Sequence, residues 1–385
     1  MHAAATHDRS SATDTYLSSS TKLWDGSLLS ELVTPRHDLS KRVRPFPVQR
    51  NYFYAAAMHH SARWLREQMA MAPAEYQRLL REDVGGFVSW VYPDATAGQI
   101  RALSDFHFWA VRLDDLMDRK TAAATSLSAC ALLETVGAAE LAPFDDFFGR
   151  MRALGMSRRC ADRFTHALRL YGASSRQEVK AREGQARFGS VSGYITNRRT
   201  SAAMPVYYAL AAWISRIDLP EELYQHPVVT RLENSCSDYS LLYNDAGSFI
   251  KERLAGRSEG TFVRLLSQQQ GLSVQDTLYE IADMAAAAAD DLEATSDIID
   301  GCGLPVHQRE QIHRYADALR KFVGGVNHWS NHTCRYLVGQ PLVDTPATSR
   351  AGDVHHLRPA AIPHESHRPA SMTGRPNDDR WRPWQ

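Results

Sequence analysis

An all-α fold is what this sequence predicts, and three observations predict it. Apolar residues recur at helical spacing in one segment after another, as at Phe164, Leu168 and Tyr171 (i, i+4, i+7). The one short run with strand character, Phe87 to Pro93, has no partner strand anywhere in the chain. The breaks between segments fall at Gly85-Gly86, Pro93, Pro205 and Pro220, residue types that end, bend or restart helices. Helical patterns without strands leave the all-α class.

Residues 1–42 are rich in Ser, Thr, Ala and charge, with little apolar periodicity, and read as a mobile leader. Folded structure is expected from Phe46-Pro47 onward. Ala55 to Leu65 has helical spacing, the pattern continues from Gln77 to Asp83, and Gly85-Gly86 breaks it. Phe87 to Pro93 is expected to be the end of a buried helix, stopped by its proline. Ala97 to Arg119 reads as one helix. Val191 to Thr200 leads into Met204-Pro205, where a proline bends the helix or opens a new one. Val206 to Ile217 is almost wholly apolar, as in a helix buried on most sides. Val228 to Arg253 forms a long helix with Leu232, Cys236, Tyr239 and Tyr243 on one flank. Ser273-Val274-Gln275-Asp276 has capping-box spacing and opens a helix through the alanine run 285–289. Val306 to Leu337 supplies the last helices. From 341 to 385, prolines, arginines and His355, His356, His364 and His367 follow no period and read as a disordered tail. One helical domain over 43–340 with two tails is therefore expected.

Composition removes several function classes. Lys plus Arg and Asp plus Glu balance at 44 each, which argues against a general nucleic-acid or membrane-surface binder. No apolar run is long enough to span a bilayer. No secretory h-region opens the chain. The five cysteines are scattered singly, as expected of reduced thiols in a cytoplasmic protein.

Two polar stretches stand out against this background. Asp114, Asp115 and Asp118 lie within five positions, directly behind Phe106, Phe108 and Trp109. On a helix Asp114 and Asp118 share a face one turn apart, with Asp115 about 100° further round. Carboxylates this close repel unless a cation sits among them, and hard oxygen ligands on a rigid helix suit Mg²⁺. A solvated acidic helix end is the plain alternative. Asp145-Asp146 and Asp290-Asp291 repeat the pair without the third Asp, and serve as internal controls. The second stretch is Asn244-Asp245-Ala246-Gly247-Ser248-Phe249-Ile250-Lys251-Glu252. Asn244, Ser248 and Glu252 stand at i, i+4 and i+8, one straight stripe of oxygen donors over two turns.

A D-D-x-x-D motif followed by N-D-x-x-S-x-x-K-E resembles the microbial class I terpene synthases (terpene cyclases), over roughly residues 46–340. The resemblance implies an α-helical bundle in which the two motifs face each other and hold three Mg²⁺ ions around a prenyl diphosphate. The metal set would be Asp114, Asp115, Asp118, Asn244, Ser248 and Glu252. Arg198, 46 positions before Asn244, matches the family's diphosphate-sensing arginine, with Arg199 as a rival. Ser201 and Ala202 then fall at the family's linker and effector positions, where the effector is often Gly. Arg335-Tyr336 matches a pair that hydrogen-bonds the diphosphate, in the context Asn327-His328-Trp329-Ser330. Lys251 is placed to reach a phosphate oxygen. It is not expected to pair with Glu252, because adjacent helical residues do not face each other.

Loss of diphosphate from an allylic carbon leaves a carbocation, which needs a dry pocket and aromatic faces. Trp329 is the first candidate by resemblance, with Phe108 and Trp109 behind it. Where relatives often carry phenylalanines, this chain has Ala110 and Val111. The implied activity is cyclisation of an acyclic prenyl diphosphate, farnesyl first and geranylgeranyl second, ended by proton loss or water capture. A chain-elongating prenyltransferase and a non-catalytic helical scaffold are the rival classes. Dimers are common in the family, so a homodimer is one expected state.

Overall fold

The computed structural model describes residues 45–123, 142–182, 188–254 and 260–336. Within these, the side chains at 117–123, 176–177, 179–182 and 254 are not described. The expected leader and tail, with the tail histidines, lie outside the described residues, as does the side chain of Asp118.

The helices are α1 (Tyr54–Gln68), α2 (Pro73–Arg81), α3 (Phe87–Val91), α4 (Ala97–Ala123), α5 (Pro143–Ala153), α6 (Arg158–Arg182), α7 (Val191–Ser201), α8 (Met204–Ile214), α9 (Glu221–Tyr224), α10 (Pro227–Leu254), α11 (Phe262–Gln270), α12 (Val274–Asp297) and α13 (Val306–His332). Among the described residues no strand occurs, so the all-α expectation holds. The stretch Phe87 to Pro93 holds a separate five-residue helix, Phe87–Val91, rather than the end of a longer one. Three helices were not marked out by the sequence, α5, α9 and α11. Ser273 caps α12 as expected: its Oγ accepts from the Asp276 N–H at 3.1 Å and donates to the Asp276 carboxylate at 2.7 Å. The described cysteines are free thiols.

α10 is the axis of the core. Leu232, Cys236, Tyr239, Leu242 and Tyr243 are all buried, and α12, α13, α7 and α11 pack around it. Its contact with α13 is polar as well as apolar. Asn327 donates to Tyr239 Oη at 2.7 Å, and Tyr243 Oη donates to Asn331 at 2.8 Å. α8 is buried along almost its whole length, as its composition predicts.

α13 lies directly on α3. A Cβ at Gly325 would stand 2.4 Å from the carbonyl oxygen of Trp90, so only glycine permits this approach. One turn on, the end of α13 caps α2. Trp329 Nε1 donates to Asp83 O at 3.1 Å, Thr333 Oγ1 to Glu82 O at 2.6 Å, and Cys334 Sγ to Arg81 O at 3.2 Å. The last carbonyls of a helix have no intrahelical partner. Here residues some 250 positions away supply them, and the chain from 333 to 336 is fixed beside α2 and α4.

Candidate active site

Both predicted motifs lie on long helices. α4 is buried from Ala102 to Trp109 and begins to emerge at Ala110 and Val111. Asp114 is exposed and accepts from Tyr171 Oη of α6 at 3.0 Å. Asp115 is placed differently. Arg78 donates to one of its oxygens at 2.6 Å and Arg335 to the other at 2.8 Å. Both arginines also donate to Glu82, Arg78 at 3.0 and 2.9 Å and Arg335 at 2.8 Å. The four groups form a closed, charge-balanced ring across α2, α4 and the chain after α13. Burial alone would raise the Asp115 pKa, but Arg335 and then Arg78 outweigh it and hold the carboxyl below the ordinary aspartate value. Asp115 thus faces two arginines, whereas Asp114 meets a tyrosine hydroxyl.

On α10, Asn244, Ser248 and Glu252 keep partial exposure along the expected stripe, between buried Tyr243, Asp245, Phe249 and Ile250. Amide, hydroxyl and carboxylate oxygens in line on a rigid helix are a donor set of the kind that holds Mg²⁺. Two of these three donors are neither His, Cys, Asp nor Glu. Among the described residues no group of three of those four types could hold a metal ion. The side chain of Lys251 does reach Glu252, at 3.6 Å, against expectation. A four-carbon stem bridges the angle that the backbone directions leave open.

Arg198 and Arg199 separate cleanly. Arg199 makes two 2.7 Å bonds to Asp238, away from the stripe. Arg198 turns inward and donates to Asp245 Oδ1 at 3.1 and 3.0 Å, to Asn244 Oδ1 at 3.1 Å and to Glu178 at 3.4 Å. Burial disfavours its charge, yet Asp245 and Glu178 outweigh burial and raise its pKa well above the usual arginine value. Tyr194 Oη completes the cluster by donating to Asp245 at 2.9 Å. Asn244 joins the two sides of the site. Its oxygen accepts from Arg198, and its nitrogen donates to Tyr336 Oη at 2.7 Å.

The helix break expected after Arg198 is present. α7 ends at Ser201, whose hydroxyl donates to Glu178, and Pro205 opens α8. Ala202 has φ −86° and ψ 10°, a conformation any residue adopts. The left-handed residue is Ala203, at φ 58° and ψ 22°.

Aromatic residues close the other side. Trp329 is buried and stands edge-on to Phe87 at 5.1 Å and to Tyr336 at 5.9 Å. Phe87 stacks on His107 at 4.6 Å. Phe108 and Trp109 are fully buried elsewhere. Phe108 seats on Gly85, and Trp109 packs on Phe144 and Phe147 of α5. The control pairs are structural. Asp146 accepts from Arg150 and Trp64, and Asp291 from Arg231 and Ser235.

Residues 91–291 match a family model described as terpene synthase family 2, C-terminal metal binding. The chain belongs to this family. It is an enzyme of the terpene synthase class, rather than a chain-elongating prenyltransferase or a non-catalytic scaffold. The match contains both polar motifs and Arg198, while Trp329, Arg335 and Tyr336 lie beyond it. Among relatives of this terpene synthase, 4-epi-cubebol synthase of Streptosporangium roseum is 26% identical over 321 residues, covering 80% of this chain and 92% of that protein. Sesquiterpene synthase 6 of Postia placenta is 24% identical over 304 residues, covering 76% and 87%. Of solved structures, linalool/nerolidol synthase from Streptomyces clavuligerus superposes with a TM-score of 0.65 at 21% identity, over 75% of this chain and 99% of that one. Germacradien-4-ol synthase from Streptomyces citricolor gives 0.62 at 24% identity, over 75% and 97%. The fold is that of the class I terpene synthases.

Several site residues were not singled out from sequence. Asp245 sits inside the second motif and escaped because an Asp beside Asn244 reads as surface charge. Arg78, Glu82 and Glu178 lie far from either motif and carry no local signal. His107 had one: it lies seven residues before Asp114, two turns down the same helix face.

Proposed function

We propose that this terpene synthase is a Mg²⁺-dependent cyclase. It ionises farnesyl diphosphate, folds the resulting cation in an aromatic pocket and releases a cyclic sesquiterpene with diphosphate. The observation that carries the reading is Asn244, which hydrogen-bonds at once to Arg198 and Tyr336. One residue of the proposed metal stripe thereby touches two of the groups proposed to grip the diphosphate. The farnesyl choice draws on a relative whose printed name includes (2E,6E)-farnesyl diphosphate cyclising, and on relatives named sesquiterpene synthases.

Asn244, Ser248 and Glu252 would hold magnesium on one side, with Asp114 opposite and three ions in all. Bound there, the metal supplies positive charge to the departing phosphate oxygens. Arg198, Lys251, Arg335 and Tyr336 bind those oxygens as donors. The leaving group carries about three negative charges, so preorganised donors in a dry site lower the barrier most where charge develops. Ser201 and Ala202, at the break between α7 and α8, link the position of Arg198 to the pocket wall. Trp329 and Phe87 present ring faces and edges that accommodate the cation and exclude water. We further propose cytoplasmic placement, on the free cysteine thiols.

Geranylgeranyl diphosphate is the second reading. Ala110 and Val111 are small and partly exposed just before Asp114, which leaves room for a longer chain. The test is incubation of purified protein with geranyl, farnesyl and geranylgeranyl diphosphates, with and without Mg²⁺, followed by gas chromatography–mass spectrometry. A cyclic product from farnesyl diphosphate alone, lost with EDTA, is the expected result. Product from geranylgeranyl diphosphate alone would replace the first reading with the second. Undiminished turnover in both Asn244→Ala and Glu252→Gln would refute the metal assignment.

A further inference from the structure

Tyr207 and His107 form a polar pair in an otherwise apolar wall. Tyr207 is in the second turn of α8, just past the helix break, and His107 is two turns below Asp114 on α4. Tyr207 Oη and His107 Nδ1 are 3.1 Å apart. The imidazole is buried and stacked on Phe87, 4.6 Å away at 20°. Tyr207 is held from three sides. Its carbonyl accepts from Tyr92 Oη at 2.8 Å, and its ring meets Phe322 at 5.6 Å and Phe106 at 6.4 Å.

Tyr207 nevertheless keeps accessible surface, while Phe87, His107, Phe106 and Phe322 around it are all buried. Its ring also meets Phe87 at 5.8 Å, and Phe87 touches Trp329, so Tyr207 stands one ring away from the aromatic cluster already described. Burial, and after it the nearby Asp114 carboxylate, raise the phenol's pKa, so Tyr207 is uncharged at neutral pH. Burial and the charge of Arg335 lower the imidazole's pKa to about 3, so His107 is uncharged too and keeps a lone pair. Neither repels a cation, and a carbocation's neighbouring C–H is acidic enough to protonate even a weak base.

We propose that Tyr207 Oη takes the proton whose loss ends the cyclisation, while His107 Nδ1 receives the phenolic proton in exchange. This rests on the cyclase reading above. The C–H bond beside the cationic carbon breaks, and its electron pair becomes the new C=C bond. The proton goes to Tyr207 Oη as the phenolic proton passes to His107 Nδ1. The phenol is restored, the imidazole becomes imidazolium, and it returns its proton to water or diphosphate as product leaves. Tyr207 is then a catalytic residue. His107 acts through it, as a positioning residue, and the product is an alkene.

The test reads product ratio, not rate. Wild type, Tyr207→Phe, His107→Phe and His107→Gln are each incubated with the substrate, and products are resolved by gas chromatography–mass spectrometry. The expected result is that the wild-type alkene falls at least about tenfold relative to other products in Tyr207→Phe. His107→Phe gives the same altered spectrum, because it keeps the stacked ring but removes the acceptor. His107→Gln, which offers an amide oxygen, restores the wild-type ratio at least in part. A merely structural histidine would not show that rescue. Unchanged ratios in Tyr207→Phe overturn the inference, as does a His107→Gln spectrum matching His107→Phe. A wild type that releases no diphosphate from any prenyl substrate overturns the cyclase reading and this inference with it. Activity with unchanged ratios overturns this inference alone.

Discussion

Arg335 and Asp115 are 220 positions apart in sequence and 2.8 Å apart in the fold. The contact joins the chain after α13 to the acidic motif of α4, and Arg78 and Glu82 close it into a ring. The folded pKa of Asp115 is depressed below the ordinary value of 3.8. The pairing therefore contributes stability that is fully present above that value and lost as pH falls through the lower folded pKa. Asp115→Asn is expected to cost about 2 kcal/mol at pH 7, typical of hydrogen bonds to charged groups. Urea unfolding should show the same gap at pH 5 and a narrowing one below pH 4 (roughly, from the ordinary aspartate range). A gap that did not change with pH would mean the ion pair is not its source.

Neighbouring arginines should behave differently. Arg198→Lys cannot reproduce a fork that reaches Asp245, Asn244 and Glu178 together. It is expected to slow diphosphate release by about 10²–10³-fold, the range seen when one preorganised donor is lost. Arg199→Lys alters only a partly exposed pair with Asp238 and should cost at most about 1 kcal/mol of stability. Steady-state kinetics of the two variants decides the matter, and a larger kinetic defect in Arg199→Lys would reverse the assignment.

Two adjacent alanines offer a backbone test. Ala203 occupies the left-handed region, where a Cβ is unfavourable, and Ala202 does not. Ala203→Gly is expected to raise stability by roughly 0.5–1 kcal/mol, and Ala202→Gly to lower it by a similar amount through unfolded-state entropy. Thermal unfolding with opposite signs for the pair is the expected outcome. Equal signs would show that the break is not strained at Ala203.

Packing of α13 on α3 depends on a missing side chain. Gly325→Ala would bring a Cβ to 2.4 Å from the Trp90 carbonyl. Overpacking of this kind costs about 1–3 kcal/mol. Because Trp329 lies one turn further along α13, the variant should also change product ratios. Wild-type stability in Gly325→Ala would mean the helices can part without penalty.

The sequence by itself determined the helical class, most of the helices and the stripe of Asn244, Ser248 and Glu252. These follow from spacing along one helix, where three and four residues make a turn whatever the surroundings. Gly85-Gly86, Pro205 and the Ser273 cap were legible for the same reason: their effect on the backbone is local. α5, α9 and α11 were missed because they are short or flanked by weak signals, and only packing against neighbours makes them helices. Tertiary structure alone decided what each charged group faces. Asp114 and Asp115 are adjacent in sequence, yet one meets Tyr171 and the other two arginines. Arg198 and Arg199 are equally basic, yet one enters the site and the other bonds Asp238. It also decided which aromatics meet, packing Phe87, His107 and Tyr207 together beside Trp329, and Trp109 against α5. Electrostatic and packing partners come from positions up to some 250 residues apart, and no period within a helix encodes them.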